Sequence, residues 1–159
     1  MKRQSKRQSC TLGLVLGATI FCLPAFAAPN WPDLVDEHVA QVRKTISTID
    51  MDAYPAVVKN PNGALLIDVR NEDEFELGHI PGTINISRGR LEMQIWKPLG
   101  YPAKVDLNRK IYISCGSGAR AVLATQQLKV LGFTDVTAVP FNLAEWQKKK
   151  YPFVTVDQK

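Results

Sequence analysis

A chain of 159 residues with 45% apolar and 22% charged side chains has room for one domain with a hydrophobic core, which excludes a disordered polyelectrolyte. Its formal charge of +5 suggests nucleic acid, yet Lys2, Arg3, Lys6 and Arg7 all precede the first acid, Asp33. Beyond residue 27 sixteen basic side chains stand against fifteen acidic ones, so nucleic acid is excluded as a partner.

The N-terminus joins a basic segment, "MKRQSKRQ", to an uncharged apolar run, "LGLVLGATIFCL", followed by Pro24 and the small-x-small site Ala25-Phe26-Ala27. The run falls short of the roughly 20 residues needed to span a bilayer. Residues 1–27 are therefore read as a signal peptide cleaved after Ala27, leaving a soluble periplasmic product with no membrane anchor. Neither Cys10 nor Cys22 has a lipoprotein-type sequence before it, and both leave with the signal. Cys115 then stands alone in an oxidising compartment, where an unpaired cysteine marks a reactive thiol. There is no C-x-x-C pair, and His38 and His79 are the only histidines. Neither a dithiol oxidoreductase, nor a metal site, nor a bound cofactor is expected.

Residues 28–44 form a helical lead-in, with Leu34, Val35, Val39 and Val42 at helical spacing, and residues 45–159 form the main domain. "TISTI" reads as a strand, and Asp50 as the cap of the helix "MDAYPAVVKN". After the turn "PNG", "ALLIDVR" is a continuous apolar run suited to a strand buried on both faces. Asn71 and Glu74 make a capping-box pattern for the helix "EDEFEL", with Phe75 in the core and Gly78 ending it. "TINIS" is a brief strand, "RGRLEMQIW" a helix and "KPLGYPAKVDLNR" a loop. "KIYIS" is the second buried strand, and the helix after it stops at Gly132. "DVTAV" is the last strand, and "NLAEWQKKK" a last helix whose lysines form a solvated end.

Strands alternating with helices predict parallel βαβ units with helices on both sheet faces, and ligands in such folds gather beyond the carboxyl ends of the strands. "IDVR" and "SCGSGARA" both leave strands at that edge. The second stretch has the parts that stabilise a thiolate, the nucleophilic form of cysteine. Gly116 and Gly118 let successive N–H groups converge on one anion, a helix begins near Ala119, and Arg120 adds a full charge. A merely packed cysteine gives no reason for such a loop. Ser117 is a rival nucleophile, but no histidine–carboxylate arrangement is evident to activate it.

Two stretches, "LLIDVRNEDEFELGHIPGTINIS" and "CGSGARA", resemble the rhodanese (thiosulfate sulfurtransferase) family in order and separation. The resemblance runs from about Thr45 to Pro152 and includes Leu131-Gly132-Phe133 and Trp146. It implies an α/β fold, a five-stranded parallel sheet flanked by helices on both faces, and Cys115 carrying sulfur as a persulfide. Gly116, Ser117, Gly118, Ala119 and Arg120 would cradle that sulfur. Asp68 and Arg70 would pair to hold the loop, and His79 would have a structural hydrogen-bonding role. Phe141 and Asn142 stand where the family often has Gly-Gly, a departure that bears on pocket shape. Phosphatase relatives place five residues between cysteine and arginine, where this chain has four, a ring sized for one sulfur atom.

The implied activity moves sulfane sulfur from thiosulfate or a similar donor to cyanide, a thiol or an acceptor protein. With no second cysteine in the mature chain, the acceptor comes from outside it. The competing readings are a non-enzymatic persulfide carrier, docking a partner through the lead-in helix and "RGRLEMQIWKPLGYPAKV", and, on the longer-loop chemistry, a phosphatase or arsenate reductase.

Overall fold

The computed structural model describes residues 32–155. The predicted signal peptide lies outside the described residues. Among those described, no helix is long and apolar enough to cross a membrane.

Two strands form the centre of the sheet. β2 (Leu65–Asp68) is buried throughout, and β5 (Ile111–Ser114) runs parallel to it with Leu65 opposite Ile111 and Asp68 opposite Ser114. β4 (Ile84–Asn85) flanks β2, while β6 (Val136–Ala138) and then β1 (Ser47–Thr48) flank β5. All four pairings are parallel, giving the order β1-β6-β5-β2-β4. This is the expected α/β architecture.

The period-2 alternation of a strand divides the core into two layers. Leu65, Ile67, Ile111 and Ile113 face one side, where α4 (Leu91–Gln94) and α5 (Ala119–Val130) cover them with Leu91, Ala121, Ala124 and Leu128. Leu66 and Tyr112 face the other, under α2 (Tyr54–Lys59) and α6 (Leu143–Lys148). There Tyr54 and Trp146 are both wholly buried, with ring centroids 5.8 Å apart. α5 ends as its Gly132 predicts: at φ +97 this residue donates to the Lys129 carbonyl, and Phe133 donates to that of Leu128.

Among the described residues, the lead-in helix α1 (Asp33–Arg43) meets the core through its C-terminal half. Val42 and Val39 meet Val122, Leu123 and Ala138, whereas Leu34 is 74% exposed.

Several local expectations need correction. Asp50 does not cap α2. The chain makes a turn over 51–53, Ala53 is the N-cap, and Pro55 enters the first helical turn, where its missing N–H costs nothing. "RGRLEMQIW" opens as a 3-10 turn at Arg88–Arg90 before α4, and Lys97–Leu99 form another within the predicted loop. α3 (Glu72–Glu76) has Leu77 as its C-cap, so Gly78 follows the helix end as expected, but it also begins an unforeseen strand, β3 (Gly78–His79). β3 pairs antiparallel with β7 (Val154–Thr155), so a small second sheet ties down the end of the described chain. A Cβ on Gly78 would lie 2.6 Å from the Phe153 ring and 2.9 Å from the Val154 carbonyl, so the close approach requires glycine. The lysine end is not wholly solvated, since Lys149 pairs with Asp52 at 2.6 Å.

Candidate active site

Register brings the site together. Asp68 closes β2 level with Ser114 on β5 and Asn85 on β4, so the segments following β2 and β5 emerge side by side at the carboxyl edge. Cys115 follows Ser114 directly. It is 1% exposed and belongs to the core layer under α5. The Gly118 N–H points at Cys115 Sγ, 3.1 Å away. Among the described residues, the N–H groups of Gly116 and Ser117 have no protein acceptor. Ala119 opens α5, whose twelve residues direct the positive end of the helix toward this loop.

Gly118 is indispensable to this shape. Its φ is +89, and a Cβ there would lie 3.0 Å from Pro140 Cα, 3.1 Å from the Pro140 carbonyl carbon and 3.3 Å from Phe141 N. The segment after β6 thus lies directly against the loop. It also binds it, because the Leu143 N–H donates to the Gly116 carbonyl at 2.8 Å.

Asp68 and Arg70 form a buried ion pair, with Arg70 Nη2 2.7 Å from Asp68 Oδ2 and side-chain exposures of 5% and 4%. Arg70 Nε donates to both Asp68 oxygens. Its terminal nitrogens also donate to the backbone carbonyls of Glu74 (2.9 Å) and Gly78 (2.8 Å). One guanidinium therefore fastens β2, α3 and β3 together.

Glu74 does more than its sequence pattern foretells. It completes the capping box, accepting the Asn71 N–H at 3.1 Å. The same carboxylate takes both ends of the Arg120 fork, at 2.6 and 2.8 Å. Those hydrogen bonds from Arg120 hold the Glu74 carboxyl down at about 2, against the opposing effect of burial. The Glu74 hydrogen bond in turn raises the Arg120 guanidinium above its ordinary value. Arg120 is about one-third exposed and stands beside Gly116, whose added Cβ would meet its Nη2 at 3.4 Å.

His79 is engaged elsewhere. Its Nδ1 lies 3.1 Å from the Phe75 carbonyl, and its ring stacks on the Phe75 ring at 4.0 Å. This stacking corrects the expectation that Phe75 is a core residue: it is half-buried at the surface with His79. Ser117 is exposed. At the position of the expected Gly-Gly, Phe141 is buried against Trp146 with centroids 5.3 Å apart, while Asn142 caps α6 by accepting the Ala144 N–H at 2.8 Å. The sequence reading missed the Glu74–Arg120 pair and the brace formed by 140–143.

Comparison with known proteins agrees with this geometry. A family model described as a rhodanese-like domain matches residues 54–149, which include the whole site. The Bacillus subtilis protein YrkF, which bears a sulfur-carrier name, is 30% identical over 113 residues, or 71% of this chain and 57% of its own length. Thiosulfate sulfurtransferase 18 of Arabidopsis thaliana is 26% identical over 136 residues, covering 78% of this chain and 96% of that protein. The chain thus spans little more than half of the first relative but nearly all of the second. Among solved structures, human single-domain sulfurtransferase TSTD1 is 28% identical, with a TM-score of 0.54, over 64% of this chain and 96% of that one. A parallel sheet that sets a cysteine loop beside an arginine-clamped first motif, matched over most of the described residues, places this chain in the rhodanese-like domain family.

Proposed function

We propose that this protein is a sulfurtransferase that carries sulfane sulfur on Cys115. The observation that carries the reading is the Gly118 N–H aimed at Cys115 Sγ from 3.1 Å, in a loop with four residues between cysteine and arginine. Such a ring presents backbone donors to an anionic sulfur and is small for a phosphate.

The mechanism is a double displacement. The Cys115 thiolate attacks the outer sulfur of thiosulfate or a similar donor. A new S–S bond forms as the bond to the sulfite sulfur breaks, and sulfite leaves with the electron pair. The terminal sulfur of the persulfide then rests among the loop N–H groups of Gly116 to Arg120. Cyanide or a thiolate attacks that sulfur, and the Cys115 thiolate is released. Arg120, oriented by Glu74, supplies positive charge at the rim of the loop. Asp68 and Arg70 keep the ends of β2 and α3 in place and take no part in bond changes.

We further propose that the protein acts in the periplasm, on the strength of the N-terminal pattern over residues 1–27. A carrier role, handing sulfur to an acceptor protein, is the second reading. The sulfur-carrier name of the Bacillus relative and the exposed Met93 and Tyr101, at 83% and 67%, favour it. Thiocyanate formation from thiosulfate and cyanide separates the two. The enzyme turns over with these small molecules and loses that activity in Cys115→Ser, whereas the carrier loads one sulfur and stops.

A further inference from the structure

We propose that the Leu143 N–H, at the first turn of α6, is a positioning group for the Cys115 loop, fixing the Gly116–Ser117 peptide and with it the turn that brings the Gly118 N–H to the sulfur. The inference rests on the reading of Cys115 as a working thiolate and adds the element that sets its donors.

The Gly116–Ser117 peptide is not among the cis bonds of the described residues, so it is trans and planar. Its C=O and N–H must then point in opposite directions. The C=O is taken by Leu143 N at 2.8 Å, which turns the Ser117 N–H away from α6. The next donor along, the Gly118 N–H, already reaches Cys115 Sγ. Two contacts therefore set two successive peptide planes: the hydrogen bond at Gly116, and the packing of Pro140 and Phe141 on Gly118.

The brace is itself anchored. Phe141 is buried against Trp146, and Asn142 Oδ1 accepts from Ala144 N (2.8 Å) and Glu145 N (3.4 Å). A more flexible Gly-Gly at 141–142 would lack both anchors. In this chain the side chains of 141 and 142 hold the Leu143 N–H where the loop needs it.

The geometry offers a clean removal of that one donor. Leu143 is the first helical residue of α6, a position that suits proline, and Asn142 has φ −96 and ψ 124, an extended conformation that tolerates a following proline. Leu143→Pro deletes the N–H while keeping the helix start, and Leu143→Ala removes the side chain but keeps the N–H. The readout is thiolate ultraviolet absorbance against pH, taken for each variant as the difference from its own Cys115→Ser counterpart. Misdirecting one N–H from an anion should raise the titration midpoint in Leu143→Pro by about one pH unit relative to Leu143→Ala.

Equal midpoints in the two variants would overturn the proposal. If Leu143→Pro does not fold, Asn142→Ala against Asn142→Ser gives the same comparison, since serine retains the cap. A higher midpoint in the alanine variant supports the brace, and equal midpoints refute it. No sulfur donor is present, so the outcome is independent of whether the protein transfers sulfur.

Discussion

Replacing Gly118 by alanine tests whether the loop is held in one shape from behind. The residue sits at φ +89 and ψ −32, where an L-residue costs roughly 1–3 kcal/mol. The new Cβ would also stand 3.0 to 3.3 Å from three backbone atoms of Pro140 and Phe141. Backbone cannot rotate away as a side chain end can, so overpacking adds about 1 kcal/mol or more. Gly118→Ala should therefore lose about 2–4 kcal/mol. Gly116→Ala provides the control, because its Cβ meets side-chain atoms alone, Arg120 Nη2 at 3.4 Å, Arg70 Cδ at 3.8 Å and Glu74 Oε1 at 4.0 Å, and Gly116 has no positive φ. It should lose less than about 1 kcal/mol. The assay is urea unfolding of both variants, with the midpoint moving and the slope unchanged. Equal losses in the two, or a Gly118→Ala variant within about 0.5 kcal/mol of wild type, would refute the reasoning.

Two further variants probe the clamps around the loop. Arg70→Met should cost about 3–5 kcal/mol in chemical unfolding, because it leaves the buried Asp68 carboxylate without its partner. Adding Asp68→Asn should recover part of that loss, and a single variant as stable as wild type would contradict the structural role. The second concerns pH. Glu74 titrates near 2 in the folded protein rather than at its ordinary 4.5, so its pairing with Arg120 stabilises the fold fully above 4.5. That contribution is lost as pH falls from 4.5 toward 2. Melting temperatures of wild type and Glu74→Gln should converge over this interval, and parallel curves would refute the pairing.

Much of this architecture was legible because its signals are local. The apolar runs around Leu65–Asp68 and Ile111–Ser114 announce central strands, and "SCGSGARA" announces a strand-to-helix turn with a thiol at its start. Glu74 shows where local reading stops. Its spacing from Asn71 reveals a cap, but the same carboxylate meets Arg120 across 46 residues, a contact created only when β2 and β5 pair in register. The β3–β7 pairing is hidden similarly, since two-residue strands leave no periodicity to read. Phe75 misled because an aromatic within a short helix looks like core until His79 is seen stacked on it at the surface. Phe141-Asn142 read as a departure from a family pattern, whereas in three dimensions it anchors the brace behind Gly116 and Gly118.

The central claim is that Cys115 holds the sulfur in transit, and mass spectrometry of the protein after exposure to thiosulfate tests it most directly. The wild-type peptide containing Cys115 should gain the mass of one sulfur atom. It should lose that mass when cyanide is added, as thiocyanate appears, and Cys115→Ser should show neither change. Thiocyanate produced at the wild-type rate by Cys115→Ser, or wild-type turnover with no sulfur on Cys115, would contradict the account.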